Sequence, residues 1–254
     1  VDLADERITG FEALVRWSHP EKGRIPPDEF VSIAEETGLI LPIDRFVLKE
    51  ACRQTKLWQS IYGPLTISVN LSAKQFALRD IIYVIDQVLV DTGLAPEDLK
   101  LEITESALMD NQDSAAEIFH EIKKRRVQLG LDDFGTGYSN LQYLQGLPMD
   151  ALKIDKSFVS TIGTGAATSA VIDHIIAMAK SLNLFIVAEG VETLEQAAYL
   201  GQHGVDFAQG WLFAKPLPAN QFIDFYRATL ADYGTGPQSI RSDRTDLAST
   251  SLNA

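Results

Sequence analysis

Leu99-Lys100-Leu101-Glu102-Ile103, Gln128-Leu129-Gly130-Leu131-Asp132 and Ala151-Leu152-Lys153-Ile154-Asp155 are three short strand-like runs, each carrying at or near its end a side chain capable of acid–base or metal chemistry. The same reading extends outward in both directions. Upstream lie Leu65-Thr66-Ile67-Ser68-Val69-Asn70 and Ile8-Thr9-Gly10-Phe11-Glu12-Ala13-Leu14. Downstream lie Leu184-Phe185-Ile186-Val187-Ala188-Glu189 and Val205-Asp206-Phe207-Ala208-Gln209. Helix-period stretches fall between them, among them Asp113 to Arg126 and Ala170 to Leu182. Asp44 reads as an N-cap before Arg45-Phe46-Val47-Leu48, and Thr193-Leu194-Glu195-Gln196 as a capping box.

Repeated strand–helix units predict an α/β fold of parallel strands with crossover helices. A doubly wound sheet and a closed barrel both satisfy that pattern. The first concentrates function at one switch point and uses a Gly-x-Gly-x-x-Gly turn, which is absent. Here the strands end in Glu12, Asn70, Glu102, Asp132, Lys153, Glu189 and Gln209. A closed barrel brings many strand ends to one mouth, so the barrel is the expected fold.

The chain has 254 residues, 46% of them hydrophobic, with 22 basic and 35 acidic side chains and a net charge of −13. That balance excludes general binding to DNA or RNA, which needs a basic surface. An anionic substrate would require added positive charge at the site. No apolar run is long enough to span a bilayer and the first residues lack signal-peptide order, so a cytoplasmic protein, or the cytoplasmic part of a larger one, is expected without membrane contact by this segment. Cys52, the single cysteine, is expected to be a buried small hydrophobe. Periodicity weakens after Phe225, and residues 231–254 are expected to form a disordered tail behind a domain spanning 1–230.

Carboxylates gathered in one mouth repel one another unless cations neutralise them. Glu12, Glu102, Asp132, Asp133 and Glu189, with Asn70, offer hard oxygen ligands without cysteine or spaced histidines. This donor set suits Mg²⁺ or Mn²⁺. The adjacent pair Asp132-Asp133 suggests one carboxylate between two ions, the arrangement that clamps a phosphoester displacement. Lys153 would hold a water or phosphate oxygen as a compact point charge. Motifs of serine hydrolases, P-loop enzymes and zinc proteases are absent. Trp17 and Trp58 read as packing residues. Trp211, beside Gln209-Gly210, stays open as a surface for a base.

These residues resemble a known family. Gly10-Phe11-Glu12-Ala13-Leu14-Val15-Arg16-Trp17 is similar to the signature of the EAL family of cyclic di-GMP phosphodiesterases. The similarity continues through Val69-Asn70-Leu71-Ser72, Leu101-Glu102-Ile103-Thr104-Glu105-Ser106, Asp132 to Ser139, Leu152-Lys153-Ile154-Asp155, Ala188-Glu189-Gly190-Val191-Glu192-Thr193 and Gln209-Gly210. The resemblance implies a TIM-like (β/α)8 barrel with one antiparallel strand and a metal-dependent hydrolysis of cyclic di-GMP to linear pGpG. It implies Glu12, Asn70, Glu102, Asp132, Asp133 and Glu189 as ligands of two divalent cations, Mg²⁺ or Mn²⁺. Lys153 would orient the attacking water and Gln209 would complete the site. Arg16, Asp155 and Gln209 would contact substrate, and Glu105 would steady the Asp133–Ser139 loop. A homodimer and an upstream sensory or regulatory domain in a longer parent are further implications. Family members begin with a helix and a strand carrying Tyr-Gln-Pro before the counterpart of Val1-Asp2-Leu3, so the first helix and strand are expected to be missing here. Two other readings use the same residues: a receptor that binds cyclic di-GMP without cleaving it, and a domain that binds only proteins.

Overall fold

Alternation along single strands sets the architecture. In Leu99–Thr104, Leu99, Leu101 and Ile103 are buried in the main apolar core, whereas Lys100, Glu102 and Thr104 occupy the opposite face. The same two-residue period puts Leu129 and Leu131 in the core opposite Gln128, Gly130 and Asp132, and Leu152 and Ile154 opposite Lys153. One face of each strand is therefore covered by helices, and the other carries polar groups inward. The computed structural model describes residues 1–110, 112–135, 144, 146–165 and 169–233.

The strands are β1 (Gly10–Ala13), β2 (Trp17–His19), β3 (Gly23–Ile25), β4 (Thr66–Asn70), β5 (Leu99–Thr104), β6 (Gln128–Phe134), β7 (Ala151–Ile154), β8 (Phe185–Ala188) and β9 (Phe207–Ala208). The order β1-β4-β5-β6-β7-β8-β9 forms one sheet in which every pairing is parallel. All seven lie where the sequence places strands. β2 and β3 form a separate antiparallel hairpin after β1, which the sequence reading did not distinguish. Beyond β9 the first residues of the chain add an antiparallel bridge. Asp2 pairs with Phe207, the Ala208 amide donates to the Val1 carbonyl at 2.9 Å, and the Leu3 amide donates to Asp206 at 3.0 Å. The sheet curls far enough for its two ends to touch at the mouth, where Gln209 after β9 donates to Glu12 of β1 at 2.7 Å.

The helices are α1 (Pro27–Thr37), α2 (Ile40–Tyr62), α3 (Ala73–Phe76), α4 (Ile81–Thr92), α5 (Glu105–Asp110), α6 (Gln112–Lys124), α7 (Lys156–Val159), α8 (Ser169–Ser181), α9 (Leu194–Gln202) and α10 (Ala219–Tyr233). The capping box at α9 forms as read: Thr193 Oγ1 accepts from the Gln196 amide, and Gln196 Oε1 accepts from the Thr193 amide. α10 runs to Tyr233, past the point where the apolar period weakens. It does so because Phe222 and Tyr226 pack with Trp58 and Leu65 in a second apolar cluster against Phe11. Residues 234–254, most of the expected tail, lie outside the described residues, so the proposed division at residue 230 has only that helix to set beside it. Cys52 is fully buried, and burial pushes its thiol up to about 12.

Asp44 differs from its sequence reading. α2 begins at Ile40, so Asp44 lies inside the helix and does not cap it. Its carboxylate instead accepts from the Ser72 amide at 3.2 Å and the Ser72 hydroxyl at 2.6 Å. Ser72 Oγ in turn accepts from the Gln75 amide and caps α3. A helix residue thus fixes the turn immediately after Asn70, a partnership separated by 28 positions.

Burial pushes the Asp44 carboxyl up to about 6, against the opposing hydrogen bonds from Ser72. The folded state therefore holds a proton more tightly than the unfolded chain. Stability from this group is full below the unfolded value of 3.8 and is lost as pH rises through about 6. The thermal midpoint of the wild type relative to Asp44→Asn should fall between pH 4 and 6 and level off above. The total change should be on the order of 2–3 kcal/mol. Denaturation curves across that range check it, and a flat difference would refute the assignment.

Candidate active site

Parallel pairing carries the chemistry-bearing residues to one end of the sheet. Asn70 is the last residue of β4 and pairs in register with Glu102. Glu189 directly follows β8 and Gln209 directly follows β9. Asp132 and Asp133 are neighbours, and strict alternation would aim them at opposite faces. The structure resolves this with a bulge: Leu131 pairs with Leu152 and Phe134 with Ile154, so two β6 residues oppose Lys153 alone. Asp133 takes φ +53 there, and its amide donates to Asp132 Oδ1 at 2.9 Å. Both carboxylates consequently reach one group with Glu189.

Lys153 is the centre of the mouth. It is 2% exposed, and its Nζ lies 2.6 Å from Glu189, 2.8 Å from Glu102, 3.1 Å from Asp132 and 3.3 Å from Glu12. Burial alone would strip the proton from such a lysine, but the surrounding carboxylates dominate and hold it charged, well above the ordinary value. Gln209 Nε2 donates to both Glu12 and Glu189 at 2.7 Å, and Asn70 Nδ2 donates to Glu12 at 2.6 Å.

One ammonium does not satisfy this many acids. Burial pushes Glu189 up to about 8; Asp132 and Glu12 add to the rise, against Lys153. Burial likewise raises Glu102 and Asp133. Glu12 goes the other way: burial opposes ionisation, but Lys153 and the hydrogen bonds from Gln209 and Asn70 outweigh it. Two carboxylate groups are close enough to hold an ion each, Glu12-Glu102-Asp132 and Asp132-Asp133-Glu189, and they share Asp132. The five carboxylates outnumber the ammonium groups that face them, Lys153 at the centre and Lys100 acting on Glu102, so the mouth carries excess negative charge that divalent cations would offset. The donors are all oxygen, so the residues fit hard cations of the Mg²⁺ or Mn²⁺ kind.

The remaining expected site residues lie further out. Glu105, almost fully buried, accepts from the Gly135 amide at 3.0 Å. Gly135 has φ +96, and a Cβ there would come within 2.8 Å of the Phe158 ring, so the turn requires glycine. Residues 136–139 of that loop are outside the described residues. Asp155 caps α7 by accepting from the Ser157 amide, and its charge reaches Asp133. Arg16 is exposed and donates to the neighbouring Val15 carbonyl; it makes no described contact with the acids. His174 is exposed on α8, bonded to the Ala170 carbonyl, and plays no part in the mouth.

Residues 1–216 match the family profile described as EAL domain. This chain belongs to the EAL domain family. It is 40% identical over 223 residues to the cyclic di-GMP phosphodiesterase PdeR of Escherichia coli K12, covering 88% of this chain and 34% of that protein. It is 43% identical over 217 residues to the bifunctional diguanylate cyclase/cyclic di-GMP phosphodiesterase MucR of Pseudomonas aeruginosa, covering 85% of this chain and 32% of that one. Among solved structures, the PaMucR phosphodiesterase in complex with c-di-GMP superposes with a TM-score of 0.83 at 42% identity, covering 87% of this chain and 90% of the other. This EAL chain thus spans about a third of the length of these two curated relatives. The neighbours bear out the α/β barrel read from its strand ends. Among the described residues, no helix is long and apolar enough to cross a membrane.

Replacing Lys153 by methionine would leave buried carboxylates without their cation. Breaking a buried ion pair typically costs about 3–5 kcal/mol. In chelator the Lys153→Met protein should melt well below the wild type, and saturating Mn²⁺ should close part of that gap. Melting curves with and without metal check this; equal metal responses in the two proteins would argue against a cation site beside Lys153.

Proposed function

We propose that this EAL domain is a phosphodiesterase that hydrolyses cyclic di-GMP to linear pGpG with two divalent cations, Mg²⁺ or Mn²⁺. The observation that carries the reading is the pair of carboxylate groups sharing Asp132, packed around a buried Lys153. Bound in such a pair, divalent cations supply an activated water and charge neutralisation for an in-line displacement at phosphorus.

In this proposal Glu12, Glu102 and Asp132, with Asn70, would hold one cation, and Asp132, Asp133 and Glu189 would hold the other. Asn70 would use its amide oxygen, since its nitrogen is given to Glu12. Lys153 Nζ orients the attacking water and offsets charge as it develops, a role for a fixed point charge in a water-poor site. Gln209 keeps the Glu12 and Glu189 carboxylates in place through its two hydrogen bonds. The bond formed is between the water oxygen and phosphorus, and the bond broken is from phosphorus to the 3′ oxygen. The carboxylate of Glu189 takes the proton from the water, and the leaving 3′ oxygen takes a proton from solvent, giving a 5′ phosphate and a free 3′ hydroxyl.

Arg16 and Asp155 are proposed substrate contacts, and Glu105 a support of the loop after Asp133, through its bond to Gly135. Arg16 would have to turn from the Val15 carbonyl to do so. Family membership alone supports three further proposals: a homodimer, control by other domains of a longer parent, and a cytoplasmic setting.

Incubating the purified protein with cyclic di-GMP and Mn²⁺ should give the linear dinucleotide, read by chromatography. Glu12→Ala should lower kcat/KM by more than the roughly 10–100-fold typical of losing an outer partner of a metal ligand. Folded wild-type protein that yields no linear product would overturn the enzymatic reading, and near-normal turnover by Glu12→Ala would overturn the role of Glu12.

A further inference from the structure

A cavity of about 630 Å³ opens at the place where the curled sheet meets itself, between β1 and β9. Glu12, Asp132, Glu189 and Gln209 of the mouth line it, among mostly apolar side chains. Trp211 stands on its rim, 59% exposed. Single exposed apolar side chains are ordinary on protein surfaces. This one differs in where it is and in how firmly its backbone is held.

Trp211 follows Gln209 by two residues, on a turn locked to the segment after β8. The Val191 amide donates to the Gln209 carbonyl and the Leu212 amide to the Val191 carbonyl, both at 3.0 Å. Between them Gly210 approaches Val191 so closely that a Cβ would fall 2.2 Å from its carbonyl oxygen. The turn continues with the Phe213 and Ala214 amides donating to Gly210. The indole is thus carried by the same rigid turn that sets Gln209 against Glu12 and Glu189. Lys215 Nζ lies over the ring, 5.3 Å from its centroid, a cation–π contact that favours one ring orientation. Lys156, from α7, lines the same cavity. In a chain of net charge −13, an exposed aromatic with a lysine on its ring, at the edge of an acid mouth, is a local reversal of character.

We propose that Trp211 is the platform on which one guanine base of the substrate stacks, with Lys215 backing the opposite face of the indole. This rests on the cyclic di-GMP reading above and adds to it the residue that makes the mouth selective for a nucleotide over other phosphodiesters. A base lies one sugar away from the phosphate that reacts, so its surface belongs on the rim and not among the ligands. Base–aromatic stacking is sequence-tolerant and strong enough to govern affinity. Trp211 touches no reacting atom; it binds and positions.

The test compares wild type, Trp211→Ala and Trp211→Phe on two substrates with Mn²⁺: cyclic di-GMP, and an abasic analogue that keeps the sugar–phosphate ring and lacks both bases. Trp211→Ala should raise KM for cyclic di-GMP roughly 5- to 150-fold. Its kcat/KM on the abasic diester should stay within about twofold, and Trp211→Phe should recover most of the loss on cyclic di-GMP, since it keeps a π face. If the wild type binds cyclic di-GMP without turnover, the dissociation constants are compared instead. An unchanged constant for cyclic di-GMP in Trp211→Ala overturns this inference alone, and so does an equal loss on both substrates, which would make Trp211 a packing residue. A wild type that cleaves the abasic diester but neither cleaves nor binds cyclic di-GMP overturns the substrate reading and this inference together.

Discussion

One buried ammonium governs the mouth of this protein. Lys153 contacts four carboxylates, three within strands and Glu189 directly after one, at distances between 2.6 and 3.3 Å. Removing that many charges from water is costly, and their attraction offsets the cost only when every partner is held in place. The parallel register supplies the placing. Each strand contributes a residue at the same end, and the helices packed on the outer faces bury the alternate residues as an apolar core. The site is thus an electrostatic problem that the barrel keeps in tension and that cations of the right charge would relieve.

Much of this was legible in the chain itself. Short apolar runs each terminating in Glu, Asp, Asn, Lys or Gln marked seven strands, and the structure places a strand at each. Glu12, Asn70, Glu102, Asp132, Lys153, Glu189 and Gln209 were legible as one set because parallel strands must deliver their ends to the same side. Local signals were equally readable: Thr193 and Gln196 form their reciprocal cap from four consecutive residues.

What was not legible depends on partners distant in sequence. Asp44 looked like a cap for its own helix but serves Ser72, and no local pattern announces that. α10 is held because Phe222 meets Trp58 and Tyr226 meets Tyr62, both partners set by α2. The hairpin of β2 and β3 has strands of three residues, too short for a period to register. Trp211 could be suspected from its place beside Gln209. Its exposure and its lysine become evident only when the turn after β9 folds against Val191.

The bulge at Asp132 and Asp133 carries a last implication. An ordinary strand shows one side chain per step to the interior, so composition alone could never seat two adjacent acids in the same mouth. Here the extra residue in β6, measured against β7, is what lets the two acid groups overlap. The capacity for a paired arrangement is thus written in the count of residues along one strand. Removing a single residue there would leave nearly the same amino acids in the chain while separating the two acid groups.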